Sequence, residues 1–313
     1  MEYTVLGSTG LKASLMGLGA GGASRIGQGT GGSAEDSARV VRKALDLGVN
    51  FIDTAESYGT ESIIGKVLKE TDRKDVILSS KKTIAENKSL IKPRELAEGL
   101  ERTLSLLGTD HVDVYHLHGV APGEYDYAEA ELLPELLKLK KQGKARFAGI
   151  TEGFASDPGH EMLKRAILNL SWDVFMVGFN VLNQSARETI FPSTIENNKA
   201  ILVMFALRRS LSNMNALEET VAGLKSRGLV EPGDLPDKNP LGFLVEDGSS
   251  SSVQDAAYRF CRHEPGIHVV LSGTGNLKHL ASNARSICAP PLPEKHGARL
   301  RKVFSRVNDI SGN

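Results

Sequence analysis

Four side chains of different chemistry stand in the N-terminal part of the sequence: Asp53, Tyr58, Lys81 and His118. A carboxylate beside an ammonium keeps it charged and oriented, and the ammonium lowers the pKa of a nearby phenol by stabilising the phenolate. A phenol whose pKa moves from about 10 towards neutrality can donate a proton, and an imidazole can hydrogen-bond the same substrate oxygen. The set predicts proton donation to a carbonyl oxygen. It contains no hydride donor, so a reduction would need a cofactor.

The elements that must position these side chains alternate regularly along the chain. Short, almost uniformly apolar strands are predicted at 15–18, 49–53, 76–80, 112–118, 145–151, 174–179, 200–206 and 268–271. Helices are predicted between them at 33–47, 61–70, 93–107, 128–142, 158–170, 187–197, 218–227 and 253–261, and after them at 277–284 and 295–307. Eight such units predict an α/β fold, a (β/α)8 TIM barrel with a parallel sheet.

Two further features complete the predicted architecture. A turn at residues 7–10 predicts an N-terminal β-hairpin, and the last helices are additions to the barrel. The stretch 234–252, rich in Pro, Gly and Ser, is interpreted as a mobile loop that covers the cofactor. No linker divides the chain, so we expect residues 1–313 to form a single barrel domain.

Composition restricts the function classes. Lys plus Arg and Asp plus Glu both number 38, giving zero formal net charge, so we expect neither nucleic-acid binding nor a polybasic membrane surface. The longest apolar run, 200–207, is far shorter than the ~20 residues of a membrane span. With only two cysteines and no signal peptide, we predict a cytoplasmic protein acting on a small molecule. Its oligomeric state stays open.

The predicted barrel brings the four side chains to one place. The carboxyl ends of all barrel strands open on one face, where the active sites of such barrels lie. Asp53, Lys81 and His118 end three consecutive strands, and Tyr58 lies in the loop after the first of these. We therefore expect the four groups to meet at this face.

Three segments resemble motifs of the aldo-keto reductase family: NFIDTAESYG at 50–59, ILSSK at 77–81 and DVYHLHG at 113–119. Segments 6–11 and 16–19 are similar too. The resemblance implies a (β/α)8 barrel that reduces an aldehyde or ketone to an alcohol with a nicotinamide cofactor, NADP(H) being favoured and NAD(H) possible. It implies Tyr58 as general acid, activated by Lys81 and Asp53, with His118 orienting the carbonyl.

The resemblance also implies a set of nucleotide contacts. These are Gly19, Ala20, Asp53, Thr151, Glu152, Met176, Phe205, Leu207, Arg208, Ser272, Gly273, Thr274, His279 and Asn283. Thr151 and Glu152 stand where the family usually has a Ser-Asn pair for the carboxamide, and Met176 where it has glutamine. Phe205 replaces the tyrosine that stacks on nicotinamide.

Gly273 and His279 stand where many family members carry lysine and arginine. These departures weaken the expected binding of a 2′-phosphate and leave the preference for NADPH or NADH open. Lys278, Arg208 and Arg209 are the cations that can compensate.

Other functions compete with this one. His116 and His118 lie on one face of their strand and could bind zinc, as in barrel hydrolases, although Tyr58 would then have no role and no metal is expected. A nicotinamide-binding, redox-sensing regulatory subunit with little catalysis is the other alternative, favoured by Glu152 and Met176 and opposed by the complete set of four. The glycines at 17–22 fit G-x-G-x-x-G, but no helix is predicted directly after them, so we reject a Rossmann site.

Overall fold

The computed structural model describes residues 1–86 and 89–313, and a closed barrel of eight parallel strands forms its centre. The barrel strands, in order around the barrel, are β3 (Met16–Gly19), β4 (Phe51–Asp53), β5 (Ile77–Thr83), β8 (Val112–Val120), β9 (Ala145–Glu152), β10 (Val174–Gly178), β11 (Ala200–Met204) and β12 (Val269–Ser272). The predicted (β/α)8 barrel is confirmed.

Two antiparallel hairpins accompany the barrel. Strands β1 (Tyr3–Val5) and β2 (Lys12–Ser14) form the N-terminal hairpin that the sequence predicts. Its turn packs against the start of β11, and Leu6 and Leu11 enter the interior of the barrel at the amino ends of the strands. A second hairpin, β6 (Ala85–Glu86) and β7 (Ser89–Leu90), was not predicted.

Helices surround the barrel. They are α1 (Ala34–Asp46), α2 (Glu61–Leu68), α3 (Pro93–Leu107), α4 (Tyr125–Tyr127), α5 (Leu133–Lys141), α6 (Glu161–Ala166), α7 (Ala186–Thr189), α8 (Phe191–Glu196), α9 (Arg209–Ser212), α10 (Met214–Ser226), α11 (Phe243–Glu246), α12 (Val253–Arg262), α13 (Leu277–Ile287) and α14 (Glu294–Val303). A π-helical turn (Ala128–Leu132) joins α4 to α5, and 3-10 turns occupy Gly7–Thr9, Arg25–Thr30, Glu56–Tyr58, Arg73–Asp75 and Pro122–Glu124.

Helices with strong end signals match their predictions closely. Ser33 and Asp36 form a reciprocal capping box at the start of α1. Pro93 opens α3, and Gly108 ends the helix in the left-handed region (φ 67°).

Two predicted helices and one predicted loop differ from the structure. The helix expected at 158–170 is only α6, because Asp157 caps its first amides and His160 lies in the left-handed region (φ 62°). The helix expected at 187–197 is divided into α7 and α8, with Pro192 in the first turn of the second. The segment 234–252, interpreted as a loop, contains α11 and buries Leu241 and Leu244 completely.

The barrel interior changes character along its axis. Its lower and middle layers are apolar, with Phe51, Val174, Leu202 and Val269 packed together. Side chains alternate along each strand, so residues two positions apart point inwards together. Polar inward-facing groups are concentrated on β4, β5 and β8 towards their carboxyl ends, which define the mouth of the barrel.

Gly65 lets α2 approach α3 closely. A Cβ at this position would lie 2.2 Å from the Leu106 carbonyl oxygen, which is backbone and cannot move aside cheaply. We expect Gly65→Ala to lower the free energy of unfolding by about 1–3 kcal/mol through overpacking. Gly223, inside α10, has no atom within 4 Å of its Cβ position. Gly223→Ala should therefore raise stability by about 0.5–1 kcal/mol, and urea unfolding that ranks the two variants the other way would contradict this packing.

Candidate active site

A buried ion pair lies at the mouth of the barrel. The Lys81 ammonium donates to both carboxylate oxygens of Asp53 and to the Thr54 carbonyl oxygen, each at 2.7 Å. The Lys81 side chain is 1% exposed and that of Asp53 is 5% exposed. The Ser79 hydroxyl donates to the same carboxylate at 2.8 Å. These contacts use all three ammonium protons and fix the position of the charge.

Tyr58 lies above this pair, in the 3-10 turn that follows β4. Its ring centroid is 5.1 Å from Lys81 Nζ. Its hydroxyl lies 3.4 Å from His118 Nε2, and the two rings meet edge to face at 85°. A Cβ at Gly21 would lie 2.2 Å from the Tyr58 ring, so only glycine fits there. The structure thus brings together the four side chains that the sequence predicted to meet.

The pKa of the Tyr58 phenol departs from the expected direction. Burial raises this pKa above 10, and the lowering effect of the Lys81 charge does not reverse it; Asp53 raises it further and Arg208 lowers it. The expectation of a pKa lowered towards neutrality is wrong for the protein alone. At neutral pH Tyr58 is therefore a protonated hydrogen-bond donor.

Both histidines of β8 are neutral. Burial and the nearby Lys81 charge lower the pKa of His118 to about 3, and the same two causes lower that of His116 well below its usual value. His116 lies one layer below His118, and its Nε2 is 3.1 Å from the Ser79 hydroxyl. Over residues 1–86 and 89–313, no group of three or more metal-binding side chains is arranged to hold an ion.

The residues expected at the nicotinamide carboxamide are engaged elsewhere. Thr151 Oγ1 accepts a hydrogen bond from the Gly119 amide at 2.7 Å. The Glu152 carboxylate is fully buried, contacts His160 Nδ1 at 2.9 Å and accepts from the Gly178 amide at 2.7 Å. Met176 belongs to the apolar interior of the barrel. The Glu152–His160 pair was not predicted, because no sequence motif indicates it.

Phe205 stands at the end of β11 in a strained conformation. Its φ is 65°, which is rare for an aromatic residue. The Phe154 ring meets it edge to face at 5.4 Å, and the Arg208 guanidinium carbon lies 4.0 Å from its centroid. Leu207, between them in sequence, packs partly buried against the core. Strain at such a position is typical of a functional site.

The loop after β12 is tied to neighbouring elements. Asn283 donates to the Ser272 hydroxyl at 2.9 Å, and the Tyr258 hydroxyl lies 3.0 Å from it. Asn276 caps α13, with its oxygen accepting from the amides of Lys278 and His279.

Close backbone approach explains one departure from the family pattern. A Cβ at Gly273 would lie 2.7 Å from the Gly19 carbonyl oxygen. A lysine at position 273 would therefore collide with the loop after β3. On that loop, the Ala20 amide donates to the Asp53 carbonyl oxygen at 2.8 Å. Thr274, next to Gly273, accepts from the Asn276 amide through its hydroxyl at 3.1 Å.

Comparison with known proteins decides the family. The model of the aldo/keto reductase family matches residues 17–304. The chain belongs to the aldo/keto reductase family. This family consists of oxidoreductases that use nicotinamide cofactors on small-molecule carbonyl substrates.

Individual relatives agree with this assignment. Aldo-keto reductase YhdN of Bacillus subtilis is 30% identical over 290 residues, covering 87% of this chain and 85% of its own. L-galactose dehydrogenase of Arabidopsis thaliana is 38% identical over 157 residues, and this match spans only 48% of each protein. The holo form of an aldo-keto reductase from Bacillus halodurans has the same fold, with a TM-score of 0.71, 23% identity and coverage of 97% of this chain and 96% of that one.

Two tyrosines that follow β8 lie in the helical shell. Tyr125 is buried, and its hydroxyl contacts Glu129 at 2.8 Å and Trp172 at 3.4 Å. The Tyr127 hydroxyl donates to the Ile91 carbonyl oxygen at 3.0 Å. Within the described part of the chain, no helix has the length and apolar character needed to cross a membrane.

The buried neutral histidines predict a loss of stability in acid. The folded-state pKa of His118 is about 3 against 6.5 when exposed, so between these values only the unfolded chain binds the proton. Native stability should therefore fall as the pH drops below about 6.5. In His118→Asn this fall should be smaller, because one of the two neutral imidazoles of β8 is gone. Urea midpoints at pH 7.5 and pH 5 measure the difference, and equal losses in both proteins would refute it.

Proposed function

We propose that the protein reduces an aldehyde or ketone to an alcohol with a nicotinamide nucleotide, NADP(H) being favoured over NAD(H). The observation that carries the proposal is the contact of the Tyr58 hydroxyl with His118, above a buried Lys81–Asp53 pair. A carbonyl oxygen placed between the phenol and the imidazole would meet two neutral groups able to donate hydrogen bonds. This arrangement suits stabilisation of an oxygen that gains negative charge.

The residues present fit a nicotinamide nucleotide in two places. Phe205 offers a half-buried ring, held by Phe154, at a strained strand end. The Asn276-capped start of α13 is a favourable place for phosphate, because helix N-termini attract anions. The place expected to bind the nicotinamide carboxamide fits less well, because Glu152 is already paired with His160. The Thr151 hydroxyl accepts from the Gly119 amide and can still donate its own proton to the carboxamide.

Each side chain of the mouth then has a separate role. The nicotinamide, when bound, supplies the hydride. Tyr58, protonated at neutral pH, donates its proton to the carbonyl oxygen, and Lys81 stabilises the phenolate that this leaves. His118, held neutral by burial, orients the oxygen with a hydrogen bond. Asp53 keeps Lys81 charged and in place. In the oxidation direction Tyr58 acts as base.

The nucleotide preference is open to direct measurement. Gly273 has no room for the lysine found in many members, so a 2′-phosphate would rely on other cations such as the exposed Lys278. One relative is named as an NADH-specific methylglyoxal reductase of Escherichia coli. Titration with NADPH and with NADH, followed by nucleotide fluorescence, tests the proposal. Failure to bind either nucleotide would refute it.

Tyr58→Phe removes the proton donor and keeps the ring. We expect kcat for aldehyde reduction to fall by about 10²–10⁴-fold, because general acid catalysis contributes in this range. The dissociation constant for NADPH should stay within about twofold, because the ring contacts survive. Turnover close to that of the wild type would show that Tyr58 is not the acid.

Lys81→Met changes the pH dependence of alcohol oxidation. The Lys81 charge lowers the pKa of Tyr58, so its loss should move the limb that reports phenolate formation to higher pH. Removing Lys81 alone leaves Asp53 buried and unpaired, a change that typically costs about 3–5 kcal/mol. Lys81→Met with Asp53→Asn keeps the site neutral and serves as the folded comparison. A smaller upward shift is expected there, because loss of Asp53 offsets part of the larger Lys81 effect. An unmoved limb in both variants would exclude this role for Lys81.

A redox-sensing regulatory subunit remains the second candidate, supported by the engagement of Glu152 with His160. This candidate predicts slow single-turnover oxidation of bound NADPH and no efficient substrate. Steady-state turnover of a simple aldehyde, compared with single-turnover rates, distinguishes the two.

A further inference from the structure

Arg208 carries a charge without a partner. It begins the turn into α9, and its half-buried guanidinium lies over the Phe205 ring. Within residues 1–86 and 89–313, no carboxylate forms an ion pair with it and no oxygen accepts a hydrogen bond from it. Burial lowers its pKa, and the guanidinium stays charged at neutral pH. A partly desolvated cation of this kind favours an anion as ligand.

The other groups of the mouth do not neutralise this charge. Asp53 and Lys81 form a pair whose charges cancel. Tyr58 and His118 are uncharged at neutral pH, for the reasons given above. The Glu152 carboxylate is fully buried against His160 and the Gly178 amide. Among these groups, the Arg208 charge therefore has no counter-charge.

This charge lies close to the reacting position. A Cβ at Gly21 would lie 2.2 Å from the Tyr58 ring, and one at Gly22 would lie 3.1 Å from Arg208 Nη1. Adjacent Cα atoms are about 3.8 Å apart, so the phenol and the guanidinium contact neighbouring residues of one loop. An oxyanion held by Arg208 would lie beside the carbonyl that Tyr58 protonates.

We propose that Arg208 binds a carboxylate on the carbonyl substrate, and so selects aldehyde or keto acids over neutral carbonyl compounds. The proposal rests on the reductase function proposed above and names its substrate class. A guanidinium presents paired N–H groups that match the two oxygens of a carboxylate. A nucleotide diphosphate offers the same oxyanion chemistry, so the experiment must separate the two sources.

The kinetic arm compares 4-carboxybenzaldehyde with benzaldehyde in wild type and Arg208→Met, a substitution that keeps an apolar chain over Phe205. We expect KM for the carboxylated aldehyde to rise at least about thirtyfold more than KM for benzaldehyde, because a desolvated charge pair loses one member, whereas any effect of Arg208 on the nucleotide is common to both substrates. Arg208→Lys should recover only part of the difference, since it lacks the planar fork. Arg94→Met, whose side chain is 88% exposed, is the control for net charge. Equal changes for both aldehydes would overturn the proposal.

The binding arm separates substrate from nucleotide. ADP-ribose carries the diphosphate without nicotinamide, and its dissociation constant should stay within about twofold in Arg208→Met. A loss confined to ADP-ribose would overturn the substrate claim and assign Arg208 to the nucleotide.

Calorimetric titration with benzoate and with neutral benzamide needs no turnover. Benzoate should bind the wild type at least about tenfold more tightly than Arg208→Met, and benzamide should bind both alike. This selectivity without reduction of any aldehyde would uphold the carboxylate site and refute the reductase function. Its absence in a protein that reduces aldehydes would overturn the carboxylate site alone.

Discussion

The Lys81–Asp53 pair is the constraint on which the site depends. Two charges lie almost fully buried at the open end of an apolar barrel, and the arrangement is tolerable because every ammonium proton has an acceptor at 2.7 Å. Removing one partner would leave an uncompensated charge in a place that water barely reaches. The pair can therefore hold only one geometry, and Tyr58 and His118 are arranged around a fixed positive charge.

Burial and that fixed charge together determine the protonation of the neighbouring groups. It opposes protonation of His116 and His118, which burial already disfavours, and so both imidazoles stay neutral. It also favours the phenolate of Tyr58, although burial outweighs it in the protein alone. The result is a mouth in which Tyr58 and His118 are both neutral and lie beside a cation that would stabilise negative charge forming there.

The sequence predicts the barrel and the meeting of the four groups for a physical reason. Apolar strands with capped helices between them determine a parallel barrel, and residues at strand ends then share one face. Where a local signal is strong, as at Ser33 or Pro93, the predicted boundary agrees with the structure. Helices predicted at 158–170 and 187–197 were too long because a left-handed His160 and Pro192 intervene.

The details of the nucleotide contacts could not be predicted in the same way. Glu152 stands at a position whose family role is known, but its carboxylate turns to His160 and the Gly178 amide. A motif gives the position of a residue on its strand. The hydrogen-bond partners of its side chain depend on the groups that the neighbouring strand and the following loop supply. A buried carboxylate takes the partners that satisfy it within the protein, and sequence spacing carries no information about them.

The glycine at position 273 has a steric explanation that sequence motifs do not give. The loops after β3 and β12 pass so closely that a Cβ at Gly273 would meet the Gly19 carbonyl oxygen at 2.7 Å, and one at Gly275 would meet Gly27 Cα at 2.3 Å. Two backbone segments that lie this close leave no space for side chains between them. A long cation is thereby excluded from this position. Arg208, which lies beside Tyr58 and the loop after β3, carries its positive charge outside this crowded contact.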